Sequence, residues 1–418
     1  MRRTACLFLL ATALLVILAP AAFATNGYFA HGYGTQYKGM AGAGAALALS
    51  TLGPATNPAS MAFLGTRFDL GCALFNPVRD YTVLGAPSVP AGLVAGKVES
   101  GSDNFVIPHL GANWQLGAST TLGFAFYGNC GMNTDYSAST YHAGPTGINL
   151  SQMFFAPTFA YKLAERHAVG VTPILAYQRF EARGLRSFAL VARDPMHLSD
   201  NGTSSSYGAG VRFGYLGDFE PWLSVGAALQ TRVWMTPFDE YKGLFAQRGD
   251  FDVPTNFVIG IALKPFATLD LAADVQQVRY SHVKAVGNKL LPNLEQALLG
   301  DEYAAGFGWR DMTTYKFGVQ WRPLRRLTWR AGYSYGKQPI PNSEVLFNIL
   351  APGVIQQHAT MGLSKTCGRS TEVSVACMRA FSNDVTGPNA LEDPGQQEIT
   401  LRMDEWEYEL SLGYKFGK

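Results

Sequence analysis

The residues that could perform acid–base, nucleophilic or metal chemistry are widely spaced in this chain. The seven histidines form no HExxH motif, and no convincing Ser–His pair shares a strand face. The glycine-rich residues 39–44 lack the GKS or GKT ending of a phosphate-binding loop. Four cysteines beyond the N-terminal segment lack CxxC or metal-ligand spacing: Cys72, Cys130, Cys367 and Cys377. The sequence therefore predicts no enzyme, no cofactor and no metal site.

Residues 25–65 stand out because they are rich in glycine and alanine and almost free of charge. They fit neither strand alternation nor a membrane helix nor a solvated linker, and their small residues allow close backbone packing. We predict that they form a folded plug. Near the end, Asn57-Pro58-Ala59 breaks regular structure, because Pro58 lacks an N–H and Asn57 can bond local backbone. This tripeptide is either a hinge or seal of the plug, or an ordinary Asn-Pro turn.

Residues 1–24 have the pattern of a secretory signal peptide. Arg2 and Arg3 precede an apolar core, and Ala22-Phe23-Ala24 resembles a cleavage site. An uncleaved membrane anchor is the alternative, but the apolar core is short for a spanning helix. We therefore predict a signal peptide at 1–24, a plug at 25–65 and a barrel at 66–418, with plug and barrel forming one unit.

The composition predicts a membrane barrel outside the cytoplasm. Charged residues make up 15% of the chain and aromatic residues 12%, whereas soluble domains carry about 25% charged residues. Beyond the signal peptide, no run of about 18 apolar residues could form a spanning helix. Without the signal peptide, the numbers of basic and acidic residues are equal, so the chain lacks the net positive charge of a typical nucleic-acid-binding protein. An exported, charge-poor chain of alternating segments is typical of an outer-membrane β-barrel.

The C-terminal segment 406–416 alternates most clearly. Aromatic and aliphatic residues from Trp406 to Phe416 occupy one face, while Glu407 and Glu409 share the other with small residues and a lysine. Such a strand needs lipid on one side and water on the other. A terminal aromatic strand also resembles the signal that barrel-assembly machinery recognises. The same alternation recurs upstream and predicts an all-β fold, a 14-stranded antiparallel transmembrane barrel.

The predicted strands alternate with short and long connections, as an up-and-down barrel requires. Short turns belong on the periplasmic side and long loops outside. One loop segment, residues 290–299, has helical apolar spacing, so we expect a helix there. The predicted strands are 66–78, 104–116, 118–130, 147–163, 167–185, 204–216, 221–233, 253–264, 267–283, 311–322, 326–337, 356–366, 369–381 and 402–416.

Together these features resemble the long-chain fatty-acid transporter family of Gram-negative outer membranes (FadL type), which includes aromatic-hydrocarbon uptake channels. The resemblance covers the chain beyond the signal peptide. It rests on GMAGAGA at 39–45 with Asn57-Pro58-Ala59, on Trp309-Arg310-Asp311 entering a strand, and on RAGYSY at 330–335 followed by PIP at 339–341. A lone Asn-Pro-Ala tripeptide is weak evidence for the family, but the same tripeptide within an exported plug ahead of a barrel is specific evidence for it.

The resemblance implies passive uptake of a hydrophobic molecule, most simply a long-chain fatty acid, with a hydrocarbon as the alternative. Movement of the plug, with Asn57, Pro58 and Ala59 as its hinge, would release the ligand sideways through a kinked third strand. Gly128 and Gly131 are the candidates for that lateral-opening kink, because glycine in a strand often marks a bulge. The alternative is a strand that simply ends there.

The resemblance also places two cations near a ligand head group, Arg179 and Arg310, because a buried carboxylate needs a partner. The alternative is a lumen-facing arginine paired with an interior acid, such as Asp311 for Arg310. The expected partners are the hydrophobic ligand, outer-membrane lipid and the assembly machinery, and we expect a monomer. Two further classes stay open, a general porin and a surface adhesin barrel.

Overall fold

The computed structural model of the chain describes residues 26–142 and 144–417. The predicted signal peptide, residues 1–24, lies outside these described residues. From residue 67 onwards the chain forms long antiparallel strands, each paired with the next, and the last pairs with the first along 19 residues. Closing the sheet removes its two outer edges, whose unpaired backbone groups a bilayer would not tolerate.

Fourteen strands build this wall, as the sequence predicted. The wall strands are β1 (Arg67–Gly85), β3 (Phe105–Gln115), β4 (Thr120–Ser139), β5 (Pro145–Ala164), β6 (His167–Arg183), β7 (Ser204–Glu220), β8 (Leu223–Gln230), β10 (Asn256–Phe266), β11 (Leu269–Val278), β12 (Met312–Leu324), β13 (Leu327–Gly336), β14 (Gln357–Cys367), β15 (Thr371–Pro388) and β16 (Gln397–Lys415). Two short strands lie outside this series: β2 (Gly96–Glu99) pairs with β1, and β9 (Trp234–Met235) pairs with β7.

The alternation of β16 follows the sequence prediction. Trp406, Tyr408 and Leu410 are exposed on the outer face, whereas Glu407 and Glu409 are buried inside. An outer apolar band and a polar interior are the arrangement that lipid outside and polar contacts inside both stabilise.

Several wall strands extend further outward than predicted. The strand β4 continues to Ser139 and β15 to Pro388, so the predicted long loops 131–146 and 382–401 were wrong. The outer faces of these extensions are polar, as in the cross-strand pair of Thr386 and Thr400, whose hydroxyls lie 2.9 Å apart, whereas Met132, Tyr136 and Val385 are buried on the inner face. Above the lipid band the outer face no longer needs apolar residues, so the alternation typical of lipid-facing strands does not mark these extensions.

The helices are short and lie in the plug and the external loops. The α-helices span Thr35–Lys38, Ala246–Gly249, Lys284–Gly287, Asn293–Gln296 and Val345–Asn348. The 3₁₀ helices span Gly53–Ala55, Pro58–Phe63, Arg186–Val191, Pro195–His197, Asp239–Tyr241, Tyr280–His282 and Asn342–Glu344. Among the described residues, no helix is long and apolar enough to cross a membrane.

The helix predicted at 290–299 is a single turn, Asn293–Gln296, so that prediction was wrong in extent. Pro292 disfavours helical backbone at the residue before it, and this prevents a helix from starting at Leu290. Leu290 and Leu299 are nevertheless buried, which accounts for the apolar spacing of the segment.

Residues 26–65 pack against the inner wall and form the plug. Glycines on the inner face of the wall allow this close approach. A Cβ added to Gly226 would lie 2.0 Å from the Ala45 carbonyl oxygen, and one on Gly332 would lie 2.3 Å from the Met40 carbonyl carbon. The small residues of the plug and the glycines of the wall therefore form one close-packed contact, as the sequence predicted for the fold.

Candidate functional site

The wall is interrupted between β3 and β4. These strands pair from Gln115 and Thr121 up to His109 and Tyr127. Beyond that point β3 pairs with β1 and β4 pairs with β5, so their facing edges separate. A β-bulge lies between Gly128 and Cys130, and a bulge bends the strand that carries it.

The two predicted kink residues both lie at this break. Gly128 is the last residue before the register shift, pairing resumes at Cys130, and Gly131 is the next residue. The strand does not end there, because β4 continues to Ser139. That a substrate leaves through this break stays a prediction.

The first residues of the plug occupy the edge of β4 that β3 leaves. The Gly131 N–H donates to the Tyr28 carbonyl at 3.2 Å, and the Ala30 N–H donates to the Asn129 carbonyl at 3.5 Å. Phe29 and Cys130 face each other as an antiparallel bridge. The plug backbone thus takes the place of a missing strand, through bonds that a small movement would break.

The outer side of the break is closed by Arg79 and the segment before β3. The Arg79 guanidinium donates to the carbonyls of Asn133 and Ser102, and the Gly101 N–H donates to the Asp135 carbonyl at 2.8 Å. A small cavity of about 10 Å³ lies beside Arg79 and is lined by plug, wall and loop residues, including Gly27, Phe75, Met132, Trp309 and Gly353. The break is therefore a small window framed on all sides.

A second cavity, of about 40 Å³, lies among the external loops. Its lining includes Tyr141, Phe180, Phe188, Phe245, Phe307 and Phe347, and no charged side chain takes part in it. The Tyr141 hydroxyl donates to the Leu346 carbonyl at 2.7 Å. Burial raises the pKa of Tyr141 well above its usual range, so the hydroxyl remains neutral. At this size the cavity admits an apolar ligand only if its rings move apart, and it offers no ion to a charged ligand.

A chain of aromatic contacts connects the apolar cavity with the plug at the break. The ring of Phe245, which lines the cavity, lies 5.0 Å from that of Phe251. Phe251 lies 6.1 Å from Tyr28, and Tyr28 lies 5.4 Å from Phe29, which faces Cys130 in β4. A ligand that displaces the Phe245 ring would therefore disturb the plug residues that cover the window.

The buried cations of the lumen are already bonded. Lys38 forms an ion pair with Glu409 at 2.7 Å and a second with Glu407. The Arg212 guanidinium donates to the Pro54 carbonyl at 2.7 Å, and the Lys316 ammonium donates to the His31 carbonyl at 2.9 Å. These bonds fix the plug to the wall, so these cations are not free for a ligand carboxylate.

Asn57-Pro58-Ala59 is tightly bonded rather than loose. The Asn57 amide donates to the Ala45 carbonyl at 2.7 Å and to the Tyr215 carbonyl at 2.8 Å, while its oxygen accepts from the Ala59 N–H. Asn57 thereby caps the helix Pro58–Phe63. A Cβ on Gly214 would lie 2.1 Å from the Asn57 side chain, so the wall also encloses it closely. Its role as a hinge stays a prediction.

Neither predicted head-group arginine lies at the apolar cavity. Arg179 is exposed on the outer face of β6, in the same outward series as Leu175 and Tyr177. Arg310 lines a polar groove at the external rim, and Asp311 pairs with Arg279 instead of Arg310. The alternation around Arg179 was a usable signal for its outward position. Arg79 and Phe251 were missed, because their roles depend on contacts between distant segments.

Among residues 26–142 and 144–417, no group of His, Cys, Asp and Glu could hold a metal ion. The cysteines Cys72, Cys130, Cys367 and Cys377 are all unpaired. The site is therefore built from apolar rings, backbone bonds and buried ion pairs.

The chain matches a known protein family, and its fold is similar to those of several solved structures. The family model described as outer membrane protein transport protein (OMPP1/FadL/TodX) matches residues 15–416. The solved toluene transporter TodX of P. putida has a TM-score of 0.68 at 15% identity, over 93% of this chain and 99% of its own. A FadL homologue of Pseudomonas aeruginosa has a TM-score of 0.70 at 14% identity, over 94% and 100%. The toluene transporter TbuX of Ralstonia pickettii has a TM-score of 0.64 at 17% identity, over 93% and 99%. No curated protein matches significantly.

Proposed function

The chain belongs to the OMPP1/FadL/TodX family of outer-membrane transport proteins, and from this premise we propose that it takes up uncharged hydrophobic molecules by a lateral route through the barrel wall. Family membership makes the chain a transporter of hydrophobic molecules in the outer membrane and not an enzyme, as the sequence predicted. The plug that fills the lumen argues against the alternative of a general porin.

The observation that carries the substrate class is the lining of the cavity among the external loops. An ionised carboxylate without a partner in an apolar site is costly, whereas a neutral ligand loses nothing there. The cavity has no charged side chain, and the buried cations Lys38, Arg212 and Lys316 are already bonded. Long-chain fatty acids, the first expectation from the sequence, would therefore have to enter protonated. A hydrocarbon such as the toluene of TodX and TbuX fits without this cost.

The proposed route leads from this cavity along the rings of Phe245, Phe251 and Tyr28 to the break between β3 and β4. Residues 26–34 would move away from β4, and the ligand would pass the bulge at Gly128 and Gly131 into the membrane. Asn57-Pro58-Ala59, the hinge expected from the sequence, would instead anchor the part of the plug that stays in place. A lateral exit is favourable because each buried CH₂ contributes ~0.8 kcal/mol, which an aqueous exit would forfeit.

Binding of oleate and of its uncharged ester, methyl oleate, to the purified barrel tests the substrate class. At pH 8 we expect methyl oleate to bind at least about tenfold more tightly, because an unpaired carboxylate costs roughly 2 kcal/mol or more. Leu244 lines the cavity, so Leu244→Lys should reverse the preference by offering a cation. Equal or tighter binding of oleate by the unaltered protein would show that the ligand is an anion.

Uptake by whole cells tests whether the cavity lies on the transport route. Ala305 is buried in the lining, and Ala305→Phe should lower methyl oleate uptake several-fold by filling the cavity. The control Ala331→Phe places the same side chain on the lipid-facing side of β13, where Ala331 is exposed. Uptake that responds equally to both variants, or to neither, contradicts the route.

A further inference from the structure

The outer face of the barrel carries a polar groove at the external ends of β12 and β13. Tyr315 and Tyr335 are cross-strand partners, and both point outward with 46% and 40% of their surface exposed. Tyrosines at this level are typical of the boundary between acyl chains and head groups. Together with Arg310 and Lys337 they line an open groove of about 610 Å³.

The two cations of this groove are without a protein partner. Arg310 and Lys337 are exposed, and in the described part of the chain neither side chain forms a hydrogen bond or an ion pair. The neighbouring acid, Asp311, is already bonded to Arg279 at 3.1 Å and to the Ser281 hydroxyl at 2.7 Å. The groove therefore presents two positive charges that no nearby acid neutralises.

The position of these cations relative to the membrane follows from the strand. Lys337 continues the outward series of Tyr333 and Tyr335, two residues and so about 7 Å beyond the tyrosine. The long loops mark this end as the external side. The Arg310 N–H donates to the Pro339 carbonyl at 2.9 Å, which holds the loop against the strand. Both charges thus lie at the level of the outer-leaflet head groups.

We propose that this groove binds the phosphate groups of a glycolipid of the outer leaflet. The arginine fork and the lysine ammonium match phosphate oxygens, because charge-assisted bonds to phosphate are strong and an arginine can form two of them. The exposed rings of Tyr315 and Tyr335 contact the acyl chains or sugars below the phosphates. The groove lies on the lipid-facing side of the wall, so this binding is independent of the substrate route.

Native mass spectrometry of the detergent-solubilised barrel with bis-phosphorylated lipid A, in the presence of EDTA, tests the site. Two surface cations near a membrane account for about 30-fold in affinity, so Arg310→Gln combined with Lys337→Gln should lose that factor. The control is Lys365→Gln, which removes an exposed cation from the opposite, periplasmic end of β14. All three substituted residues lie on the surface, and the heat-dependent shift in electrophoretic mobility verifies that each variant is folded.

Two further arms separate a lipid site from a simple anion site. Dephosphorylated lipid A should bind the unaltered barrel as weakly as bis-phosphorylated lipid A binds the double variant. Millimolar inorganic phosphate should not displace the lipid, since acyl chains and sugars also contribute. The proposal is overturned if the double variant binds like the unaltered protein, if Lys365→Gln has the same effect, if dephosphorylated lipid binds equally well, or if inorganic phosphate displaces the lipid.

Discussion

The two parts of the plug are held in different ways. Residues 35–65 are fixed by charged or buried side-chain bonds: Lys38 to Glu407 and Glu409, and the Gly44 and Ala45 N–H groups to Asp274 at 2.8 and 2.9 Å. Residues 26–34 are held by backbone bonds to β4, by ring contacts and, near their inner end, by the Lys316 ammonium on the His31 carbonyl. Charge-assisted bonds are about twice as strong as neutral ones.

This difference assigns separate tasks to the two parts. The ionic part seals the lumen against water, and releasing it would leave several charges buried without partners. The aromatic part covers the window in the wall and can yield to an apolar ligand, because its contacts are non-directional and the ligand can replace them. The plug therefore need not leave the barrel for a substrate to pass.

Removing the central cation of the sealing part should have the largest effect. Lys38→Met leaves Glu407 and Glu409 buried without their ammonium partner, which costs about 3–5 kcal/mol. We expect the barrel to unfold at a lower temperature, measured by the heat-dependent shift in its electrophoretic mobility. We also expect its single-channel ion conductance to rise. Arg193→Met, which breaks an exposed pair with Asp301, is the matched control and should change little. An unaltered conductance for Lys38→Met would show that the ionic contacts do not form the seal.

A smaller effect is expected where the two parts meet. Gly42 has a φ of +77°, and an added Cβ would lie 1.9 Å from the His31 carbonyl oxygen, which Lys316 binds. Gly42→Ala should therefore loosen residues 26–34 and speed their amide hydrogen exchange by about tenfold, equivalent to ~1.4 kcal/mol.

Gly65 provides the control for backbone strain in that experiment. Its φ is +74°, yet no atom lies within 4 Å of an added Cβ, so Gly65→Ala introduces the strain without the contact. If both variants change the exchange of residues 26–34 alike, the contact of Gly42 with His31 does not hold the two parts together.

The wall was predictable because lipid imposes a period-two pattern on every strand it touches. Trp406, Tyr408 and Leu410 could be placed outward from the sequence, and the strand count followed from such patterns. The external extensions of β4 and β15 could not, since above the lipid band their outer faces are polar and apolar residues such as Met132 and Val385 lie on the inner face. The helix predicted at 290–299 forms only a single turn because Pro292 interrupts the segment. Its apolar spacing reflects residues that are buried outside that turn.

The sequence indicated the site only where glycine, proline or other small residues impose a particular backbone conformation or allow close packing. Gly128 indicated the bulge, and the small residues of the plug indicated close packing. The ring contact between Phe251 and Tyr28 joins segments more than two hundred residues apart, and no local pattern reveals it. The alternation of β6 indicates an outward position for Arg179, whereas the family resemblance implied a place near a ligand head group.

The central claim is that residues 26–34 must separate from β4 during transport, and a reversible cross-link tests it most directly. Phe29 and Cys130 form a non-hydrogen-bonded antiparallel pair, whose Cα atoms lie about 4.5 Å apart, within the range that a disulfide bridges. In the Phe29→Cys variant, oxidation should link the plug to the native Cys130. Methyl oleate uptake should then be lost and should return on reduction. In the control that combines Phe29→Cys with Cys130→Ser, uptake should not change on oxidation. Full uptake by the cross-linked protein would contradict the account.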